Sequence, residues 1–129
     1  MTIGIISWLL LKAIDVVTII KDWCVVYFFG MPDGSNMNER WGRVVTGTVV
    51  MDGSQNAAPG DYICSEPVVK TTGDLLTTRS GKAYSLFGEG RTQELPVTQL
   101  AKVQAGLAME TILKEMAQEL EQESKLQSD

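Results

Sequence analysis

The sequence predicts an α+β protein: a five-stranded antiparallel curled sheet or small, partly open β-barrel, with an amino-terminal apolar helix and one or two carboxy-terminal helices. Three observations predict it. Apolar residues with a narrow polar stripe precede Trp23, β-branched and aromatic runs broken by turn residues fill the centre, and a helical period returns after Gly90. At 129 residues, 44% hydrophobic and 21% charged, the chain is expected to form a single domain, 1–129, with its own core.

The first element is an amphipathic helix predicted over residues 1–22. Gly4, Ser7, Asp15, Thr18 and Asp22 fall on one helical stripe, and the other positions are mainly apolar. The segment lacks a basic start and a small-residue cleavage site, and two charges, Lys12 and Asp15, interrupt it, so a signal peptide or membrane anchor is not expected. We expect the helix to pack on the sheet or on a partner subunit, with an interfacial membrane helix as the alternative.

The antiparallel β core is predicted over residues 23–90. Its five strands are expected at residues 23–29, 41–51, 61–69, 75–79 and 82–87, with a loop from Gly30 to Glu39 and a tight turn at Ser80-Gly81. The connections between successive strands are too short for the helix that a parallel crossover requires. Antiparallel pairing is therefore predicted throughout.

Residues 95–121 form the predicted carboxy-terminal helical segment. Leu100, Val103 and Leu107 recur at helical spacing, and Gly106 leaves one or two helices open. The next turns carry an apolar stripe that either packs on the sheet or forms a short dimer seam. Residues 122–129 are polar and are expected to fray.

Composition excludes several kinds of function. The chain contains no histidine, so catalytic triads that need histidine and histidine metal ligands are absent from it. Its net charge of −5 disfavours nonspecific binding to nucleic acid, and no specific nucleic-acid partner is predicted. Cys24 and Cys64 stand alone in apolar runs, which is typical of free core thiols in a reducing cytoplasm. No cofactor, metal site or catalytic residue is predicted.

Motifs that suggest an enzyme are weak. Ser80-Gly81-Lys82 lacks the upstream glycine of a phosphate loop, and Gly88-Glu89-Gly90 lacks the third glycine of a dinucleotide fingerprint. A small enzyme or ligand-binding barrel that uses carboxylates, arginines and Cys64 is kept as an alternative. A pocket formed by two or more of Asp61, Arg79 and Arg91 would favour it.

The segment from Trp41 to Gly90 carries three stretches: Trp-Gly-Arg-Val-Val-Thr-Gly-Thr-Val-Val, then Ala-Pro-Gly-Asp-Tyr-Ile-Cys-Ser-Glu-Pro-Val-Val, then Thr-Thr-Arg-Ser-Gly-Lys-Ala-Tyr-Ser-Leu-Phe-Gly. This segment resembles the core of a family of small uncharacterised proteins carried by phages and prophages of Proteobacteria. The resemblance implies no catalytic residues. It implies an accessory protein of a mobile element, and such proteins often bind and block a host protein.

The leading hypothesis is therefore a non-enzymatic protein-protein interaction module, of the anti-defence or host-takeover type. Its binding residues are predicted in and beside the Gly30–Glu39 loop: Met31, Asp33, Met37, Arg40 and Trp41. A homodimer is also predicted, because the two apolar helices offer more surface than one small sheet covers. Its interface residues are Leu9, Met109, Ile112, Leu113 and Met116. A membrane-associated protein held by the amino-terminal helix is the third hypothesis.

Overall fold

The computed structural model describes residues 17–31, 36 and 38–127. They form one mixed sheet of seven strands with the helices after it in the chain. The strands are β1 (Val17–Phe29), β2 (Arg40–Asp52), β3 (Tyr62–Cys64), β4 (Val68–Thr72), β5 (Leu75–Thr78), β6 (Ala83–Leu86) and β7 (Arg91–Pro96). A 3-10 turn (Val97–Gln99), a short helix α1 (Leu100–Gln104) and a long helix α2 (Met109–Gln127) complete the chain.

The long strand β1 organises the sheet. On one side it pairs with β2 in antiparallel register along most of its length. On its other side, two short strands follow each other in parallel register: β6 beside Val17–Ile20, and β7 beside Cys24–Phe29. The strand order is β3-β2-β1-β6-β5-β4, with β7 on the second part of β1, and the sheet does not close into a barrel.

An irregularity at Asp22 and Trp23 divides β1 where its partner changes from β6 to β7. Asp22 has a positive φ of 49°, and β1 there has one residue more than β2. Trp23 fills the gap between the two short strands: its indole lies against Gly90, and its Nε1 donates to the carbonyl oxygen of Gly88 at 3.1 Å. A side chain at position 90 would overlap the indole ring, which explains glycine there.

The extra residue in β1 sets the side to which each side chain points. We call inner face the side of the sheet that carries Ile20, Val25 and Val45, and outer face the side that carries Cys24, Val26 and Val44. Because side chains alternate along a strand, an added residue places Ile20 and Val25 on the same face. The sheet thus has one core on each face.

The inner core lies where the sheet curls. β4, β5 and β6 bend over the inner face of β1 and β2, and their apolar side chains meet there: Ile20, Val25, Val45, Val68, Leu76 and Tyr84. Asp52 secures the turn after β2, because its buried carboxylate accepts hydrogen bonds from the Thr18 and Ser54 hydroxyls and from the backbone amides of Ser54, Asn56 and Ala57. Asp52 therefore ties this turn to β1.

The outer core lies under the helices. Apolar side chains of β1, β2 and β7 contact those of the helical segment: Cys24, Val26, Phe28, Val44, Leu95, Val97, Val103, Met109 and Ile112. The hydroxyl of Tyr62 donates to the Val103 carbonyl oxygen at 2.7 Å, which fixes α1 to β3. Gly106, at φ 86°, follows α1 and allows the chain to turn into α2.

The predicted antiparallel sheet or partly open barrel is wrong in strand number, in strand direction and in closure. Short connections decide the pairing only of strands that follow each other in the chain, whereas β1 pairs in parallel with the distant β6 and β7. The fifth predicted strand is followed by β7, which lies beyond the predicted β core and includes residues 95–96 of the predicted helical segment. The predicted third strand is split at Ser65–Pro67 into β3 and β4.

The predicted amino-terminal helix is also wrong over residues 17–22, which belong to β1. Thr18 and Ile20 point to the inner core there, and Val17 and Ile19 point away from it. Residues 1–16, the rest of that predicted helix, lie outside the described part of the chain. At the other end the structure has two helices, and α2 continues to Gln127.

Candidate binding cleft

A cleft of about 570 Å³ opens on the inner face beside the second part of β1. Three strands form it, because Tyr27 of β1 pairs with Arg43 of β2 on one side and with Glu94 of β7 on the other. These three side chains form a row across the sheet, and Phe29, Arg40 and Asn38 extend the lining toward the Gly30–Glu39 loop. The curled strands leave this part of the inner face open, although β4 reaches its edge, where Thr71 accepts a hydrogen bond from Arg43.

Aromatic side chains supply the apolar surface of the cleft. The side chain of Tyr27 is 41% exposed, although its neighbours Val26 and Phe28 are buried in the outer core. Beneath it, Phe28 meets Trp41 edge to face, with the ring centroids 5.8 Å apart and the planes at 90°. The floor of the cleft is thus a packed sheet that needs no rearrangement to present Tyr27.

The local backbone between Arg40 and Arg43 follows from one glycine. Gly42 has a φ of 149°, a conformation that L side chains rarely adopt, and it lies beside a register shift between Phe28 and Phe29. Glycine at this position of a strand run predicts such a bulge or bend. The irregularity brings Arg40 and Arg43, three positions apart in the chain, to the same cleft.

Charge in the described lining of the cleft is mixed with a positive excess. Among the described residues, Arg40 and Arg43 line it together with one carboxylate, that of Glu94. Arg43 is held in place, because its Nη2 donates to Oγ1 of Thr71 on β4 at 2.9 Å. Arg40 is exposed, and its guanidinium makes no hydrogen bond or ion pair with the described residues. The arrangement favours a group with negative charge next to an aromatic or apolar surface.

The five predicted interaction residues separate in the structure. Arg40 lines the cleft, and Met31, 40% exposed, lies just after β1. Trp41 instead packs against the outer core. Asp33 and Met37 lie outside the described residues. The base of the Gly30–Glu39 loop is closed by the Gly30 amide, which donates to the Glu39 carbonyl oxygen at 2.6 Å.

The predicted interface residues of α2 lie mainly within the protein's own core. Ile112 is fully buried and Met109 is 8% exposed, both against the outer face of the sheet. Met116 is half-buried against the same core, and Leu113 is 38% exposed. Leu9 lies outside the described residues. The apolar stripe of α2 is thus largely covered by the sheet, and the homodimer stays a prediction.

The three residues whose meeting in one pocket would favour the enzyme alternative do not assemble. Asp61 accepts a hydrogen bond from the Ala58 amide in the turn before β3, Arg79 lies in the turn between β5 and β6, and Arg91 forms an ion pair with Glu110 at 2.9 Å. None of the three lines the cleft. Among the described residues, no group of three or more histidine, cysteine, aspartate or glutamate side chains is placed to hold a metal ion.

Neither cysteine is activated as a nucleophile. Burial raises the pKa of the Cys64 thiol to about 11. Burial also raises the pKa of Cys24, and the nearby Arg91 only partly opposes this effect. Both cysteines are free. Because the thiolate is the reactive form, both side chains behave as small hydrophobic groups at neutral pH.

Of the described residues that line the cleft, only Arg40 was among the predicted binding residues; Tyr27, Phe29, Arg43 and Glu94 were not. Tyr27 and Phe29 lie in a run that predicts a strand buried on both faces, and Glu94 lies in a segment without a predicted strand. The sequence did carry one sign that Tyr27 is exposed, because the polar hydroxyl of a tyrosine is unusual in a strand buried on both sides.

Comparisons of the chain with protein-family models, with curated proteins and with solved structures found no match. No helix among the described residues has the length and hydropathy to cross a membrane.

Proposed function

We propose that the protein is a non-enzymatic interaction module that binds an acidic segment of another protein in the cleft lined by Tyr27, Arg40, Arg43 and Glu94. The observation that carries the proposal is the row Arg43–Tyr27–Glu94 on a rigid, open part of the sheet, with Arg40 beside it. Tyrosine and arginine are the residue types that most often dominate binding energy at protein interfaces.

The geometry supports a peptide segment as the ligand. A volume of about 570 Å³ accommodates several side chains, and the cleft is open along the sheet. A carboxylate of the partner would meet the exposed Arg40, and an adjacent apolar side chain would lie on Tyr27. Because Phe28, Trp41 and the bond from Arg43 to Thr71 already fix the lining, little conformational entropy is lost on binding.

As part of this proposal, the partner is a host protein of the cytoplasm, as the resemblance to phage and prophage proteins implies. The raised pKa values of both thiols and the separation of Asp61, Arg79 and Arg91 favour a binding module over the enzyme alternative.

The test is selection from a library of random 12-residue peptides on the immobilised full chain. We expect enrichment of peptides in which aspartate or glutamate stands next to an aromatic or large apolar residue. Binding of the selected peptides, measured by fluorescence anisotropy, should weaken at least tenfold for Arg40→Glu and for Tyr27→Ala. The matched charge reversal Lys114→Glu, at an exposed position of α2 outside the cleft, should leave the affinity unchanged.

Two outcomes contradict the proposal. The first is a selection without acidic peptides, or one in which the selected peptides bind Arg40→Glu as well as the unchanged protein. The second is tight binding of a single-stranded 12-nucleotide DNA that depends on Tyr27, since this would assign the cleft to nucleic acid.

A further inference from the structure

Strand β7 forms an edge of the sheet in its second half. Among the described residues it pairs with β1 alone, through all six positions from Arg91 to Pro96 and without a register shift. In the first half of the sheet, β5 lies on the far side of β6. No strand of the described part of the chain occupies the corresponding place beside β7.

Strand β6 shows how the backbone of a strand parallel to β1 is oriented. The amide of Leu86, which pairs with the inner-face residue Ile20, donates to the carbonyl oxygen of Asp74 beside β5 at 2.9 Å. The amide of the next residue, Phe87, donates in the opposite direction, to Ile20 of β1 at 2.8 Å. The N–H and C=O groups of one residue point to the same side of a strand and alternate along it with the side chains. Inner-face residues of such a strand therefore direct these groups away from β1.

The same orientation holds for β7, which also runs parallel to β1. Thr92 and Glu94 pair with inner-face residues of β1, so their N–H and C=O groups point to the free edge. Pro96 is the next residue in this series, and there its missing N–H leaves the ladder to β1 intact. The carbonyl oxygen of Glu94 accepts a hydrogen bond from the side chain of its neighbour Gln93 at 3.2 Å. The free edge thus presents the backbone donors and acceptors of Thr92 and Glu94.

The other free edges of the described sheet carry features that discourage the addition of a strand. β3 has only three residues. β4 has a register shift between Val68 and Lys70 and carries that lysine at its middle. The start of β2 contains Gly42 beside a register shift with β1. Short strands, irregular pairing and lysines protect natural edges, and β7 has none of the three.

A second copy of β7 fits this edge in antiparallel register. With a twofold axis at Gln93, Thr92 of each copy lies opposite Glu94 of the other, and the two residues exchange both backbone hydrogen bonds. A hydroxyl then lies opposite a carboxylate, and like charges do not meet. We propose that the protein is a homodimer whose two sheets join through β7 into one continuous sheet.

Helix α2 adds a contact on the outer face. The ion pair between Arg91 and Glu110, at 2.9 Å, places that flank of α2 beside β7. Leu113 and Lys114 follow Glu110 by three and four positions and lie on the same flank, where Leu113 is 38% exposed. A twofold axis perpendicular to the sheet turns this flank toward its equivalent in the second copy. The two Leu113 side chains approach each other there, with acidic Glu110 and basic Lys114 on either side.

A second copy is favoured over an unrelated strand because the edge is complementary to itself. One register pairs the outward backbone groups of Thr92 and Glu94 in both copies and also covers the part of Leu113 that its own sheet leaves exposed. Closed twofold dimers are the commonest oligomers. The proposal keeps the homodimer predicted from the sequence and moves its centre from the apolar stripe of α2 to β7. It does not depend on the ligand of the cleft, because it uses the backbone of Glu94.

The first test measures the mass of the full chain by sedimentation velocity across the micromolar range. We expect a dimer for the unchanged protein and for Thr92→Val, which keeps the backbone amide. Thr92→Pro removes the outward N–H and places a ring on the edge, so it should weaken dimerisation at least tenfold and leave a folded monomer by circular dichroism. Gln93→Pro removes an N–H that faces β1 and should instead destabilise the fold.

Three results of this test overturn the proposal. One is a monomer of the unchanged protein at every concentration. Another is a dimer that Thr92→Pro leaves as stable as before, because its interface would then lie elsewhere. The third is a loss of stability in Thr92→Pro as large as that in Gln93→Pro, which would show that the amide of Thr92 faces β1.

A second test examines the register of the two strands. In the proposed pairing the Gln93 residues of the two copies form a pair without hydrogen bonds, with Cα atoms about 4.5 Å apart, which a disulfide can bridge. Gln93→Cys should therefore give a disulfide-linked dimer on mild oxidation, detected by electrophoresis without reductant. The matched variant Gln104→Cys, at an exposed position of α1, should stay unlinked. Equal linking of the two variants, or none in Gln93→Cys, would contradict the proposed pairing.

Discussion

The two halves of the β1–β2 ladder bury opposite faces of the same pair of strands. In the half from Val17 to Lys21, the curled strands β4, β5 and β6 bury the inner face, and Ile19 and Met51 point outward without cover from the helices. In the half from Cys24 to Phe29, α1 and α2 bury the outer face, and Tyr27 points into an open cleft.

This difference shows how one short domain obtains two surfaces of different chemistry. The face left open in the second half carries arginines, a glutamate and aromatic rings, which suit a polar partner segment. The face left open in the first half carries exposed methionine, leucine and phenylalanine side chains. The irregularity at Asp22–Trp23 separates the two halves, because β1 changes its neighbour there.

The largest expected effect comes from breaking the helix-covered half at Ile112. Ile112→Asp places a carboxylate in a fully buried position of the outer core and should cost more than about 4 kcal/mol, which is a large part of the stability of a small domain. Circular dichroism during thermal and urea denaturation measures this loss. Leu120→Asp, at a position 64% exposed on the same helix, should change stability by less than about 0.5 kcal/mol.

This substitution also distinguishes two roles of α2. If Ile112 belonged to a seam between subunits, the variant would remain folded and become monomeric in light scattering. We expect loss of the folded state instead, because the sheet of the same chain covers Ile112.

An intermediate effect is expected at the junction between the halves. Gly90→Ala forces a methyl group into the Trp23 indole and should destabilise the protein by about 3 kcal/mol. In a Trp23→Ala background the ring is absent, so the same change at position 90 should cost much less. Urea denaturation of the unchanged protein, the two single variants and the double variant gives the coupling free energy between the two positions. Additive effects of the two substitutions would show that residues 23 and 90 do not contact each other.

A smaller effect is expected in the curled half at Asp52. Burial opposes ionisation of this carboxyl group, but the hydrogen bonds from Ser54, Thr18 and Ala57 outweigh it and lower its pKa from 3.8 to about 2. Asp52→Asn should therefore destabilise the protein by about 2 kcal/mol at neutral pH, because hydrogen bonds to an ionised acceptor are lost.

The pH dependence of this effect has a definite sign. A lowered pKa in the folded state means that ionised Asp52 contributes stability above pH 3.8 and that this contribution is lost as the pH falls toward 2. The difference in unfolding free energy between the unchanged protein and Asp52→Asn should accordingly shrink over that range. The exposed control Asp74→Asn should differ little in stability from the unchanged protein across the same range. A difference that is constant from pH 7 to pH 2 would contradict the assignment.

Local patterns in the sequence predicted many elements correctly and their arrangement incorrectly. The β-branched run in Trp41–Met51, the tight turn at Ser80-Gly81 and the apolar stripe of α2 depend on neighbours a few residues away. β7 was missed because Arg-Thr-Gln-Glu-Leu-Pro has weak strand propensity. Its strand conformation depends on hydrogen bonds to β1, more than sixty residues earlier in the chain.

The candidate cleft was only partly predictable for the same reason. Arg40 lies next to a loop rich in turn residues, and this local signal identified it. The exposure of Tyr27 was not visible, because it depends on where β4, β5 and β6 stop covering the inner face. A run that predicts burial on both faces is thus buried on both faces only as far as Val26 and reopens on one face at Tyr27.

The sequence by itself determined that this chain forms β-strands followed by helices, that it contains no histidine chemistry, and that its apolar residues suffice for a core. These properties follow from composition and from contacts between neighbours in the chain. The tertiary structure decided the parallel pairing of β6 and β7 with β1, the change of buried face at Asp22–Trp23 and the meeting of Arg43, Tyr27 and Glu94. Each of these depends on residues far apart in the chain, whose pairing is fixed only when the whole sheet forms, because register and burial are cooperative properties of several strands.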